Sequence, residues 1–209
     1  MSAAARHFDP AWFDAAFWTT DEKGVLRDPD HPRYAVTARQ VSHALAPRLG
    51  PFARLLEVGC GQGAVMLALA GRQPDWDIDG IDVSEYAVET RVHPHVIHGD
   101  VREMEVKAPY DAVLCIGVLE YLDPADVPKA LLNLRDAARQ YVVLGLQPTD
   151  HRHMTVEYAR QSGRLTFADK AQWEAWMARA RLEIIPTLTA ALYDGVEGWD
   201  GIYGCGVKR

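Results

Sequence analysis

The stretch that decides the fold is Leu55-Leu56-Glu57-Val58-Gly59-Cys60-Gly61-Gln62-Gly63. Its apolar first half predicts a buried strand, and its glycines predict a sharp turn that a ligand can approach closely. A helical pattern over 64–70 follows, so backbone amides at the start of that helix would point toward the turn and favour a carboxylate or phosphate. A strand, a glycine turn and a helix form the opening unit of α/β sheets that bind ligands at the carboxyl ends of their strands.

The rest of the chain extends this unit. Short apolar runs predict further strands, with helices between them, at 77–82, 95–98, 112–116 and 141–146. We therefore predict the α/β class, with a single Rossmann-like, doubly wound sheet that is mostly parallel. After a helix over 167–180, two apolar runs at 182–188 and 201–207 predict consecutive strands and an antiparallel C-terminal edge strand. We expect N-terminal helices and a helical lid over 1–50, and a ligand-binding domain over 51–209, within one structural domain.

Two acids follow the next strands of the predicted sheet. Asp82 ends the second strand, where a carboxylate can accept hydrogen bonds from both hydroxyls of a ribose. Asp100 follows the third strand, where it could accept from an exocyclic amine such as that of adenine, or could serve only in a turn or a helix cap.

A dinucleotide site is the competing interpretation of the glycine turn. Residues 59–64 can be aligned with the G-x-G-x-x-G/A pattern of NAD(P)-dependent oxidoreductases. Glu57 lies two residues before Gly59, however, and a negative charge there disfavours a pyrophosphate and favours a cationic sulfonium ligand. Asp100 has no place in the simple dinucleotide pattern.

Four segments together resemble the motifs of class I S-adenosylmethionine-dependent methyltransferases, over roughly residues 53–146. They are residues 55–63, Ile81-Asp82-Val83-Ser84, Gly99-Asp100-Val101 and residues 110–122. The resemblance implies an enzyme that binds S-adenosylmethionine and releases S-adenosylhomocysteine. It also implies cofactor-binding roles around the methionine for Glu57, Gly59, Cys60, Gly61 and Gly63, at the ribose and adenine for Asp82, Val83, Asp100 and Val101, and near the sulfonium for Ile116 and Gly117.

Methyl transfer from a sulfonium is a direct displacement, so alignment of the reactants can supply much of the acceleration. A general base is needed only if the acceptor loses a proton. Our catalytic candidates are His151 and His153, after the fifth strand, and Tyr121. Exposed loop histidines and simple packing of Tyr121 are the alternatives, and many relatives have His where this chain has Tyr121. We expect no metal, because no compact His/Asp/Glu spacing demands one.

The acceptor is predicted to be a small molecule methylated on oxygen or nitrogen. The fourth strand ends in Ile116-Gly117-Val118-Leu119, without the Asn-Pro-Pro-Tyr-like segment of enzymes that methylate nucleic-acid bases or glutamine. The net charge of −7 also argues against nucleic-acid binding. Aromatic residues outside the motifs could line the acceptor pocket, and two arginines could bind the cofactor carboxylate, although packing or solvent exposure explains them equally well or better. The aromatic residues are Trp12, Phe13, Phe17, Trp18, Tyr34, Trp173, Trp176, Tyr193, Trp199 and Tyr203, and the arginines are Arg33 and Arg39.

The composition, with 48% hydrophobic and 24% charged residues, fits one globular domain of 209 residues. Three separated cysteines predict reduced thiols. We expect no signal peptide and no membrane span, a cytoplasmic location, and a monomer or homodimer. A non-catalytic S-adenosylmethionine-binding partner protein is the alternative from another functional class.

Overall fold

The computed structural model describes residue 28 and residues 30–150, 163–193 and 201–208. Helices and strands are numbered in chain order within these ranges. They are α1 (Pro32–Leu45), β1 (Arg54–Val58), α2 (Ala64–Ala70), β2 (Asp77–Asp82), α3 (Glu85–Glu89), β3 (Val96–His98), β4 (Tyr110–Ile116), a 3₁₀ turn (Leu119–Tyr121), α4 (Val127–Ala137), β5 (Ala138–Gly145), α5 (Lys170–Arg179), β6 (Leu182–Ile184), α6 (Pro186–Tyr193) and β7 (Ile202–Val207).

The strands form one seven-stranded sheet in the order β3-β2-β1-β4-β5-β7-β6. The first five strands are parallel to one another, whereas β7 is antiparallel to both β5 and β6. The direction of winding reverses between β1 and β4, and such a switch point is where open α/β sheets bind ligands. The predicted fold class is confirmed.

Both faces of the sheet are covered by apolar side chains. Along β4, Val113 and Cys115 pack into a core with α4 and α5, while Ala112 and Leu114 pack into a second core with α1 and α2. This alternation explains why the strands read as nearly continuous apolar runs in the sequence. Trp173 is fully buried in the first core and Trp176 packs against it.

The C-terminal part differs from prediction in one element. The strand expected over 182–188 ends at Ile184, and Pro186 begins helix α6. Proline has no N–H for a strand ladder but is well suited to the first turn of a helix, and Leu188 and Leu192 then bury one face of α6. The antiparallel strand β7 therefore lies just inside the edge, and β6 is the outermost strand on that side.

Only part of the predicted N-terminal lid falls in the described ranges. Helix α1 lies within the N-terminal segment where helices were expected, and it packs against α2 and α6. The division into a lid and a ligand-binding domain stays a prediction. Among the described residues, no helix has the length and apolar character needed to cross a membrane.

Candidate cofactor site

The turn after β1 is built on three glycines with left-handed backbone angles. The φ angles of Gly59, Gly61 and Gly63 are 69°, 56° and 84°, a region that other residues enter only with strain. A Cβ added to Gly63 would lie 2.8 Å from side-chain atoms of His93 and Val96. The turn is therefore closed against the neighbouring strand and requires glycine.

Asp82 fixes this turn to the end of β2. Its Oδ2 accepts a hydrogen bond from the Gly61 amide at 2.7 Å, and its Oδ1 accepts from the Ser84 amide at 2.9 Å. Ser84 in turn caps α3, because its Oγ accepts from the Ala87 amide at 3.1 Å. The two bonds from the Gly61 and Ser84 amides hold the Asp82 carboxylate at the carboxyl end of β2, the end of the strands at which open α/β sheets bind ligands.

Glu57 is a buried acid beside the glycine turn. Its side chain is 5% exposed, and burial together with the nearby Asp82 carboxylate raises the pKa of Glu57 from 4.5 to about 8. Its Oε2 has no hydrogen-bond partner within the described ranges. An unpaired buried carboxyl oxygen is costly in a folded protein. It therefore points to a ligand that brings a hydrogen-bond donor or a positive charge.

The first turn of α1 approaches the same region. Burial raises the pKa of Tyr34, the charge of Arg33 opposes this increase, and the charges of Glu57 and Asp28 add to it. Arg33 and Arg39 are exposed on α1. Of the two arginines considered for a cofactor carboxylate, Arg33 stacks 4.9 Å above the ring of Tyr34.

The turn after β3 holds an ion pair that sequence reasoning missed. Both oxygens of Asp100 are contacted by Arg102, whose Nη2 lies 2.6 Å from Oδ2. Val101 is buried, and its carbonyl accepts a hydrogen bond from Asn133 at 2.8 Å. The available signal was the arginine two residues after the acid, a spacing that suits an Asx turn.

The end of β4 meets the glycine turn. A Cβ on Gly59 would overlap the side chain of Val118. Ile116 is half-buried, whereas Gly117 is exposed, has a φ of 69°, and would have no atom within 4 Å of an added Cβ. The structure thus brings the motif of residues 55–63 into contact with the motif of residues 110–122, and it leaves space beside Gly117. Val83 is half-buried beyond Asp82.

A second buried acid, Glu120, was also missed by sequence reasoning. It is 1% exposed, and within the described ranges neither carboxylate oxygen has a hydrogen-bond partner of good geometry, although the backbone amides of Glu120 and Gln147 lie close enough to favour its charged form. Burial raises the pKa of Glu120, while the amides of Glu120 and Gln147 and the Arg164 guanidinium oppose this increase. The sequence did contain one signal for this buried acid, because a glutamate within the otherwise apolar run 118–122 is unusual.

Tyr121 is buried in the 3₁₀ turn, and the Arg164 guanidinium lies 5.9 Å from its ring centre. The other catalytic candidates, His151 and His153, lie outside the described residues. So do Trp12, Phe13, Phe17, Trp18 and Trp199. Tyr193 is half-buried and Tyr203 is buried.

The cysteines are buried thiols. Burial raises the pKa of Cys60, Cys115 and Cys205 above the ordinary value, and this favours the neutral thiol at physiological pH. Cys60 lies within the glycine turn, with its Sγ 3.6 Å from the Gly61 carbonyl. Its buried thiol fits packing better than nucleophilic chemistry.

The described residues bring one potential metal-binding group together, Asp77, Asp79 and His95. Asp77 begins β2, whereas the glycine turn contacts the opposite end of that strand. Arg54 already pairs with both acids, with Nε 3.3 Å from Asp77 Oδ2 and Nη2 3.8 Å from Asp79 Oδ2. The group is therefore separate from the candidate cofactor site.

Comparisons with known proteins identify the family of the chain. A family model described as a methyltransferase domain matches residues 30–187. A ubiquinone biosynthesis O-methyltransferase of Rickettsia akari (strain Hartford) is 32% identical over 88 residues, which cover 38% of this chain and 34% of that protein. The chain thus matches only about a third of the length of this curated relative.

Solved structures share the fold. The magnesium protoporphyrin IX methyltransferase from Synechocystis PCC 6803 with bound SAH has a TM-score of 0.67 at 14% identity, covering 95% of this chain and 98% of that one. A SAM-bound amino pentose methyltransferase from Micromonospora echinaspora has a TM-score of 0.60 at 18% identity, covering 85% and 91%. The family match confirms what the motifs indicated: the chain belongs to the methyltransferase domain family, in the class I, S-adenosylmethionine-dependent group that its sequence resembles.

Proposed function

We propose that this chain is an enzyme that transfers a methyl group from S-adenosylmethionine to an oxygen or nitrogen of a small molecule. The observation that carries the proposal is the pair of buried carboxylates, Glu57 and Asp82, on either side of the glycine turn. When bound, the cofactor supplies an electrophilic methyl group on a positively charged sulfur.

The residues of the turn fit such a cofactor. The unpaired oxygen of Glu57 offers a buried acceptor to the cationic amino-acid end, next to the half-buried Gly59 and Gly61 of the turn. Asp82 is fixed by two backbone amides and presents its carboxylate to the ribose. A dinucleotide would instead place pyrophosphate charge beside Glu57, where it would oppose ionisation of the carboxyl rather than favour it.

The adenine would lie between the ends of β2 and β3. Val83 and Val101 would flank the ring, and Asp100 would accept from its exocyclic amine. Ile116 and Gly117 would approach the sulfonium from β4, where an added Cβ on Gly117 meets open space. These roles come from the motifs and are supported by the common location of the residues at the carboxyl ends of neighbouring parallel strands.

Three observations support a small-molecule acceptor. The turn after β4 lacks the segment typical of base and glutamine methylation, and the net charge of −7 disfavours nucleic acid. The similar proteins named above are a ubiquinone biosynthesis enzyme, an amino pentose methyltransferase and a magnesium protoporphyrin methyltransferase. If the acceptor is a hydroxyl, His151, His153 or Tyr121 would take its proton, and residues 1–50 would cover the pocket.

The test uses S-adenosylmethionine with a labelled methyl group and a cell extract separated into small-molecule, nucleic-acid and protein fractions. We expect label to enter the small-molecule fraction, with formation of S-adenosylhomocysteine. Asp82→Ala, which removes the proposed ribose contact, should weaken cofactor binding by about 1–3 kcal/mol and reduce labelling at low cofactor concentration. Label in nucleic acid or protein would contradict the acceptor class. Cofactor binding without transfer to any fraction would instead support a non-catalytic binding protein.

A further inference from the structure

Arg102 encloses the carboxylate of Asp100. Its Nη2 lies 2.6 Å from Oδ2, its Nε lies 3.1 Å from each oxygen, and its backbone amide lies 2.8 Å from Oδ1. The side chains of Asp100 and Arg102 are only 14% and 24% exposed, so water weakens this contact little. An arginine fork of this kind fixes the plane of a carboxylate as well as balancing its charge.

The far side of the guanidinium is tied to α4. Nη1 of Arg102 lies 3.3 Å from Oδ2 of Asp126, the residue that precedes the first turn of α4. Asn133, on the same helix, holds the carbonyl of Val101. Arg102 is therefore braced between the turn after β3 and a helix that packs on the sheet, and it cannot turn away without losing both acidic partners.

This arrangement limits how Asp100 can contact a ligand. A carboxylate has about four acceptor sites. The Arg102 amide takes one on Oδ1, Nη2 takes one on Oδ2, and the single Nε–H is shared between the two oxygens, so three N–H groups leave about one site open. We propose that Arg102 is a positioning residue for base recognition, which holds Asp100 so that one acceptor site is directed to the exocyclic amine of adenine. This role rests on the proposed binding of S-adenosylmethionine.

A fixed carboxylate predicts a specific preference between bases. Adenine presents an amine at this position, whereas hypoxanthine presents a carbonyl oxygen that a carboxylate repels. A rigid acceptor rejects the wrong group more strongly than one that can rotate away, because it cannot relieve the mismatch. Loss of the Arg102 fork should therefore reduce discrimination between the two bases rather than weaken every ligand equally.

The experiment measures dissociation constants for S-adenosylhomocysteine and its hypoxanthine analogue, S-inosylhomocysteine, by calorimetry. The wild type should bind the adenine ligand at least about 10-fold more tightly, the size of one hydrogen bond to a charged group. In Arg102→Gln and Arg102→Lys the adenine ligand should lose about 5-fold or more, while the analogue changes less than about 2-fold. Asp126→Asn, which keeps the fork but removes its outer support, should show a smaller loss in the same direction.

Arg135→Gln is the matched control, because it also removes one arginine charge that pairs with an aspartate. Arg135 lies on α4 and pairs with Asp136. It should behave as the wild type. Equal losses for both ligands in the Arg102 variants, or full discrimination in Arg102→Lys, would overturn the positioning role. Absence of base discrimination in the wild type would also overturn it while leaving cofactor binding intact. If neither ligand bound the wild type, the proposed function itself would fail.

Discussion

At the scale of single residues, Glu57 gives the most direct chemical signature of the site. In the protein without ligand, burial and Asp82 raise the pKa of Glu57 to about 8, so its carboxyl is mostly protonated at neutral pH. A cationic group placed beside it favours the ionised form. Cofactor binding should therefore release a proton from Glu57.

The prediction is that S-adenosylhomocysteine binds more tightly as the pH rises from about 6 to about 8, and that the gain levels off above the raised pKa. Calorimetry in buffers with different ionisation enthalpies measures both the affinity and the released proton. Glu57→Gln cannot release this proton and should show a flatter profile. The same slope in both proteins would contradict the role given to Glu57.

The stability of the protein should follow the opposite trend. The unfolded pKa of about 4.5 lies below the folded value of about 8, so the folded protein holds the extra proton between these values. The contribution of Glu57 to the free energy of unfolding is therefore greatest below about pH 4.5 and is lost as the pH rises toward 8. Glu57→Gln should gain stability relative to the wild type across this window, by at most about 1.4 kcal/mol per pH unit in urea titrations.

The positions of several candidate site residues at strand ends were predictable from the sequence, because glycines and acids there follow local patterns, whereas their roles stay predictions. Arg102 and Glu120 were not accessible in this way. Their importance depends on burial and on partners distant in the chain, such as Asp126 and Arg164, and spacing does not encode those contacts. The positions of His151 and His153 stay predictions.

At the scale of elements, the glycine turn depends on backbone conformation rather than on side-chain chemistry. Gly63→Ala places a Cβ 2.8 Å from atoms of His93 and Val96 at a φ of 84°. The left-handed angle alone costs about 1–2 kcal/mol, and the contact adds to that cost. We expect a lower free energy of unfolding in urea and weaker binding of S-adenosylhomocysteine.

Gly50→Ala is the matched control for this change. A Cβ at Gly50 would have no neighbour within 4 Å, and its backbone angle is not in the left-handed region. This variant should keep the stability and the affinity of the wild type to within about 0.5 kcal/mol. Equal effects of the two substitutions would show that the turn does not require the conformation of Gly63.

The elements were predicted well where hydrophobic period and length agree, as in β1, β2, β4 and α4. The segment 182–188 was assigned as strand because its apolar run is too short to reveal a helical period. Pro186 decides the outcome: Ile185 donates the last sheet bond to Gly204, and the helix begins at the next residue. Tertiary burial of Leu188 and Leu192 then stabilises a helix that the local sequence did not distinguish from a strand.

At the scale of the whole molecule, one apolar core packs on each face of the sheet. Leu131, on α4, is fully buried in one core, whereas the adjacent Leu132 is 37% exposed. Leu131→Ala should lower the free energy of unfolding by about 2–5 kcal/mol through lost burial and a cavity. Leu132→Ala should cost less than about 1 kcal/mol, and urea denaturation of both variants would measure the difference. Similar costs would contradict the assignment of the core.

The overall topology followed from the alternation of strands and helices, since parallel strands with helical crossovers wind a sheet in a limited number of ways. The place of β7 between β5 and β6 did not follow from the sequence. It depends on pairing between distant segments, such as Val143 with Gly204. The identity of the acceptor also did not follow from the sequence, because it depends on which side chains surround the space beyond the cofactor.

The proposed function requires that the turn between β1 and α2 binds an S-adenosyl nucleoside beside the side chains of Glu57 and Asp82. The decisive measurement is calorimetric titration of the wild type with S-adenosylhomocysteine and, separately, with NADH. We expect saturable binding of S-adenosylhomocysteine that Asp82→Ala weakens, with no comparable heat from NADH. Tight binding of NADH without a response to S-adenosylhomocysteine would contradict it.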